Sequence, residues 1–117
     1  MDDRTLAALD ASILHWEQNA AAKKPGDASC GPDDCALCDV FNDGSFETCR
    51  GCPVFERTGE ALCADTPYVK AHNAYKNWVW ASRDEESQRG DEFRVAAREE
   101  AEFLRSLRPV GERAVDP

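Results

Sequence analysis

The sequence predicts a mainly α-helical fold, a small helical domain with a loop-rich central insert. Three observations carry that expectation. Apolar residues recur at spacings of three and four through residues 4–22 and again through 67–108. The stretch 27–66 instead collects Gly, Pro, Asp and Cys with little periodicity. The 117 residues suit one domain and are too few for two ordinary ones.

In the first helix, residues 4–22, Leu6, Leu9, Ile13 and Trp16 share a face that Ala20 extends. Lys23 and Lys24 suit the negative end of its dipole, and Pro25-Gly26 stops it. Within 27–66, Pro32-Asp33-Asp34 opens a short helix reaching about Phe41, and Asn42-Asp43-Gly44-Ser45 is a turn. Pro53 to Arg57 forms another short helix, ended by Gly59.

Thr66-Pro67 places an N-cap before a proline in the first helical position. From there Tyr68, Ala71, Tyr75, Trp78 and Ser82 trace one face to about Arg83, with Tyr75 and Trp78 packed on the first helix. A last helix runs from Ser87 or Gly90 to Leu107, with Phe93, Ala97, Phe103, Leu104 and Leu107 inward. Its acids and bases alternate as on solvated faces. Pro109-Val110-Gly111 ends it, leaving 109–117 as a flexible tail.

Large apolar residues are few, and much of the 42% hydrophobic content is alanine and cysteine. A core of that size holds a small domain only marginally, so a staple of another kind would matter to the fold. The cysteines supply one. Cys30, Cys35, Cys38, Cys49, Cys52 and Cys63 read C-x4-C-x2-C-x10-C-x2-C-x10-C. Two residues between cysteines let both sulfurs meet one ion, and a second such pair completes a tetrahedron, as in zinc knuckles. Gly51, inside the second pair, permits the tight turn this needs.

Cys35, Cys38, Cys49 and Cys52 form the obvious zinc quartet. Cys63 is a possible substitute ligand, since it too stands ten residues from a CxxC cysteine. Four thiolates make a closed, structural Zn2+ site. An iron–sulfur cluster is the alternative, kept open by Cys52-Pro53. Disulfides would need an oxidising compartment, whereas the N-terminal Met-Asp-Asp-Arg has neither the basic nor the apolar region of a secretory signal. With no apolar run long enough to span a bilayer, the expectation is a cytoplasmic protein without a membrane partner.

The other motifs are weaker. Residues 39–50 resemble a calcium loop only until Phe41 and Arg50 fall where ligands belong. His15 and His72 read as boundary residues of helices, and no catalytic constellation is present, so an enzyme is not expected. Trp80 points away from the Tyr75–Trp78 face and is the candidate partner-binding residue.

The charge of −9 is unevenly spread. Residues 1–66 hold 5 Lys/Arg against 13 Asp/Glu, while 67–117 hold 9 against 10. The cysteine-bearing half is therefore acidic, which disfavours direct nucleic-acid binding and suits a protein partner with a basic surface. A nucleic-acid-associated zinc protein remains as the alternative, using Arg94, Arg98, Arg105 and Arg108, provided they cluster free of Glu99, Glu100 and Glu102.

Several stretches in order along most of the chain carry a resemblance. They are Leu14-His15-Trp16-Glu17-Gln18-Asn19, Cys35-Ala36-Leu37-Cys38, Cys49-Arg50-Gly51-Cys52-Pro53-Val54, Thr58-Gly59, Cys63, Thr66-Pro67-Tyr68, Ala97-Arg98-Glu99-Glu100 and Phe103-Leu104. Together they resemble small uncharacterised cysteine-rich proteins of phage and prophage gene neighbourhoods. In that pattern the five cysteines from Cys35 onward recur, whereas Cys30 is peculiar to this chain. The resemblance implies an accessory protein of a mobile element and carries no established activity.

Overall fold

The carboxylate of Asp2 accepts the Thr5 N–H at 2.7 Å and so caps the first helix, α1, Asp3–Ala20. This is seen in a computed structural model that describes residues 1–30, 36–41, 51–59, 63 and 66–109. A 3-10 turn follows at Pro25–Asp27. Four further helices are α2, Ala36–Phe41; α3, Pro53–Thr58; α4, Pro67–Val79; and α5, Glu86–Arg105. No strand occurs among the described residues. The mainly α expectation holds. The segment expected to begin the α2 helix, at 32–34, and the tail from 110 onward lie outside the described residues.

Helix α5 is the central one, packing against both α1 and α4, while α2 lies on α1. Tyr75 and Trp78 therefore do not rest on the first helix as their spacing suggests. Their rings both stand 5.5 Å from Phe93 of α5. Phe93 is fully enclosed, a burial worth about 1.5–3 kcal/mol. The aromatic contact between α1 and α4 falls elsewhere, where Trp16 meets Tyr68 edge-on at 5.9 Å.

Alanine does more in this core than its composition suggests. Ala8, Ala22, Ala71, Ala96, Ala97 and Ala101 are all buried, and their small side chains let the helices approach closely. Gly90 extends the same logic. A Cβ there would stand 3.0 Å from the Trp78 indole, so this glycine lets α4 and α5 meet around a large ring.

Two boundaries differ from expectation. Helix α4 ends at Val79 and not near Arg83, because the chain turns at Ser82. The Ser82 carbonyl accepts the Glu85 N–H, and its hydroxyl donates to the Glu85 carboxylate at 3.1 Å. Helix α5 accordingly starts at Glu86. Its alternating charges do not all face water either. Glu100 is buried, since it falls on the stripe formed by Phe93, Ala97 and Leu104. Of the expected inward residues, Phe103 is only partly buried.

Candidate metal centre and its surroundings

The metal-binding expectation rests on five cysteines. Cys35 and Cys49 lie outside the described residues, while Cys38, Cys52 and Cys63 can be placed. Cys38 sits in α2, partly buried. Cys52 is buried at the head of α3, where extended backbone (φ −64°, ψ 133°) leads into Pro53. Cys63 is partly buried, as is Cys30, and both pack against the core that contains Cys52 and Val54.

The second CxxC is described from Gly51 onward. Gly51 adopts φ +87°, a left-handed geometry that costs an L-residue about 1–2 kcal/mol. A Cβ built there would lie 3.2 Å from the Phe41 ring edge. Phe41 follows Cys38 by three residues, so both occupy one side of α2. The backbone at Gly51, beside Cys52, thus runs against the helix that carries Cys38.

Cys63 is itself unusual, with a positive φ of 62° in a residue other than glycine. Thr66 restrains it. The Thr66 hydroxyl donates to the Cys63 carbonyl at 2.6 Å and accepts the Tyr68 N–H at 3.2 Å. One side chain therefore caps α4 and fastens the backbone of a cysteine. The capping role is legible from Thr66-Pro67, but the grip on Cys63 is not.

Helix α1 anchors the approach to the cysteine segment. Asn19 is 2% exposed, and its amide bonds both backbone groups of Ser29, donating to the carbonyl at 2.9 Å and accepting the N–H at 3.2 Å. His15, one turn earlier, meets the same carbonyl through Nε2 at 2.9 Å. These contacts fix the residue just before Cys30. They give the paired His15 and Asn19 a structural reason. Sequence reasoning missed Asn19, although it lies three residues beyond Trp16 on the buried stripe. His72 is likewise engaged, its Nδ1 lying 3.2 Å from the Tyr68 hydroxyl.

No three His, Cys, Asp or Glu side chains among the described residues converge as a metal ion requires. The quartet's completion involves Cys35 and Cys49, outside that set. The donor chemistry fits zinc: soft thiolates in paired spacing, with the left-handed glycine that the second pair needs.

The basic residues of the last helix do not form an open patch. Arg94 donates to the Ala22 carbonyl at 3.0 Å, pairs with Asp91 and lies over the Trp78 ring. Arg105 pairs with Glu17 of α1, and Arg108 with Asp10. Three of the four arginines that a nucleic-acid surface would need are thus paired with acids of the same chain. Trp80, by contrast, is 86% exposed just past the end of α4, where its N–H bonds the Lys76 carbonyl. No described helix is long and apolar enough to cross a membrane. No family model, curated protein or solved structure matches the chain.

Proposed function

We propose that the chain is a zinc-stabilised, acidic protein-binding accessory factor of a phage or prophage, acting in the host cytoplasm on a protein with a basic surface. The supporting observation is how the fold uses its cations. Arg94, Arg105 and Arg108 of the C-terminal half are paired with acids of the same chain, as are Lys70 and Arg89. In a chain of net charge −9 this leaves the acids in surplus. An acidic protein of this kind attracts basic partners over about a Debye length and repels phosphate. A basic partner that itself grips nucleic acid, such as a host defence protein, is the sharper form of the reading.

In this reading zinc is structural, held by Cys35, Cys38, Cys49 and Cys52 with Cys63 as substitute, and the protein is not an enzyme. Metal content and visible spectrum of anaerobically purified protein test the staple together. One zinc per chain without colour supports it, and iron with cluster absorbance overturns it in favour of a redox or sensing role. Immobilised protein incubated with host extract tests the function. Retention of a basic protein that salt releases is expected; if no retained protein responds to salt, the partner reading fails.

A further inference from the structure

Long and short helices are unequal partners in this fold. Helices α1, α4 and α5 run to 18, 13 and 20 residues, whereas α2 and α3 have six each. Isolated helices shorter than about 12–15 residues are marginal in water, so α2 and α3 depend on what they are fastened to. Of the sixteen buried hydrophobic residues among those described, thirteen lie in the three long helices or within two residues of their ends. The other three are Leu37, Cys52 and Val54. The long helices also meet one another directly. Trp16 touches Tyr68, Tyr75 and Trp78 touch Phe93, and Arg105 and Arg108 reach Glu17 and Asp10 of α1.

The sulfurs are distributed the opposite way. All six cysteines fall between the end of α1 and the start of α4. Cys38 lies in α2 and Cys52 heads α3, so an ion held by both CxxC pairs ties each short helix to the other. Among the described residues, few other ties hold them to the long helices. The Leu37 N–H donates to the buried Ser12 hydroxyl at 3.4 Å, and Arg57 donates to the Ser106 carbonyl at 3.1 Å. Leu37 and Val54 are buried, while Val40, Phe41 and Phe55 are only partly so. The stretch is clamped at both ends by bonds that need no sulfur. Asn19 accepts the Ser29 N–H at one end, and the Thr66 hydroxyl accepts the Tyr68 N–H at the other.

We infer that the metal governs α2 and α3 alone. With it they are docked on the α1–α4–α5 bundle; without it they unfold between the Ser29 and Thr66 clamps while the bundle stays packed. Removing the ion takes a ligand from no long helix and leaves the surroundings of Phe93 filled. It does leave two six-residue helices with too little buried surface of their own to persist. The inference rests on the metal reading proposed above and deepens it into regulation. Helices α2 and α3 belong to the acidic half of the chain that the proposed function directs at a basic partner. Metal occupancy therefore switches that surface while the rest of the protein stays folded.

Amide hydrogen exchange on the full chain, before and after a zinc chelator under reducing conditions, tests this. Without metal, the Leu37 N–H and the Glu56 N–H, which bonds the Cys52 carbonyl, should exchange at least about a hundredfold faster, as locally unfolded segments do. The amides of Leu9, Ser29 and Phe93 should stay protected. Helical circular dichroism should fall by about a fifth, the share of α2 and α3. The double variant Cys38→Ser, Cys52→Ser should reproduce that pattern with no chelator. Loss of protection throughout, in either sample, would overturn the inference, as would Leu37 and Glu56 amides that stay protected. Metal content of the starting protein separates the two readings. With metal present, either of those outcomes refutes the local switch alone; a chain that binds no metal refutes the metal reading and this inference with it.

Discussion

Replacing Gly51 by alanine tests whether the second CxxC turn is a metal knuckle held against α2. The φ of +87° imposes a left-handed cost of about 1–2 kcal/mol on an L-residue. Stiffening the unfolded chain returns about 0.4–1 kcal/mol of that, leaving a net near 1 kcal/mol. The new methyl group would also meet the Phe41 ring at 3.2 Å. Phe41 is only partly buried and can yield by a few tenths of an ångström, adding about 0.5–1 kcal/mol of rotamer strain. The expected loss is about 1.5–2 kcal/mol, or about 6–8 °C in melting temperature for a domain of this size. If the turn closes around zinc, chelator competition should show zinc affinity falling by about 10–30-fold. Gly59→Ala is the internal standard. Gly59 has φ +74° with nothing near its would-be Cβ, so it carries the conformational cost alone, about 1 kcal/mol. A Gly51 variant no worse than the Gly59 variant would refute the Phe41 contact. A lower melting temperature with unchanged zinc affinity would refute the knuckle.

Three further outcomes follow from the packing and the caps. Gly90→Ala gains about 0.8–1 kcal/mol of helix propensity, but its methyl group meets a buried indole flanked by Phe93 and Arg94. Overpacking of that kind costs about 1–3 kcal/mol, so chemical denaturation should show a net loss; a gain would mean that Trp78 has room to move. Asn19→Ala removes both bonds to Ser29 from a buried site and should cost about 2 kcal/mol, with faster amide exchange at Ser29; unchanged exchange would show that His15 holds the loop unaided. Asp2 owes its lowered carboxyl pKa to the Thr5 hydrogen bond. Its folded value lies below the ordinary 3.8, so its stabilisation is present above that value and is lost as pH falls through the folded one. Asp2→Asn keeps a capping oxygen without the charge, so any deficit it shows at neutral pH should disappear in acid melts.

Local signals in the chain were enough to place most helices and their ends. Proline at a first turn, a threonine cap, a left-handed glycine and a three-to-four apolar rhythm act through neighbouring backbone, so they can be read without knowing the fold. This is why α1, α3 and the start of α4 match expectation. The same rhythm could not say which helix faces which. Tyr75 and Trp78 meet Phe93 of α5, and the first helix reaches α4 through Trp16 and Tyr68.

Buried polar residues escape a reading of the sequence, because polarity is judged residue by residue while burial is decided by the neighbours. Glu100 falls on the inward stripe of α5 and Asn19 on that of α1, and only the packed structure encloses them. Charge behaved in the same way. The sequence offers Arg94, Arg98, Arg105 and Arg108 in and just beyond the last helix, yet whether they form a patch depends on acids 88 and 98 residues distant, which close on Arg105 and Arg108.

By itself the sequence determined the helical class, the paired cysteine spacing and the concentration of negative charge in the first 66 residues. Tertiary structure decided that α5 is central, that Gly51 lies against Phe41 and that Trp80 stands in solvent just past the end of α4. The physical reason is range: propensity and ligand spacing act over a few residues, whereas burial and ion pairing depend on which distant segments the core brings together.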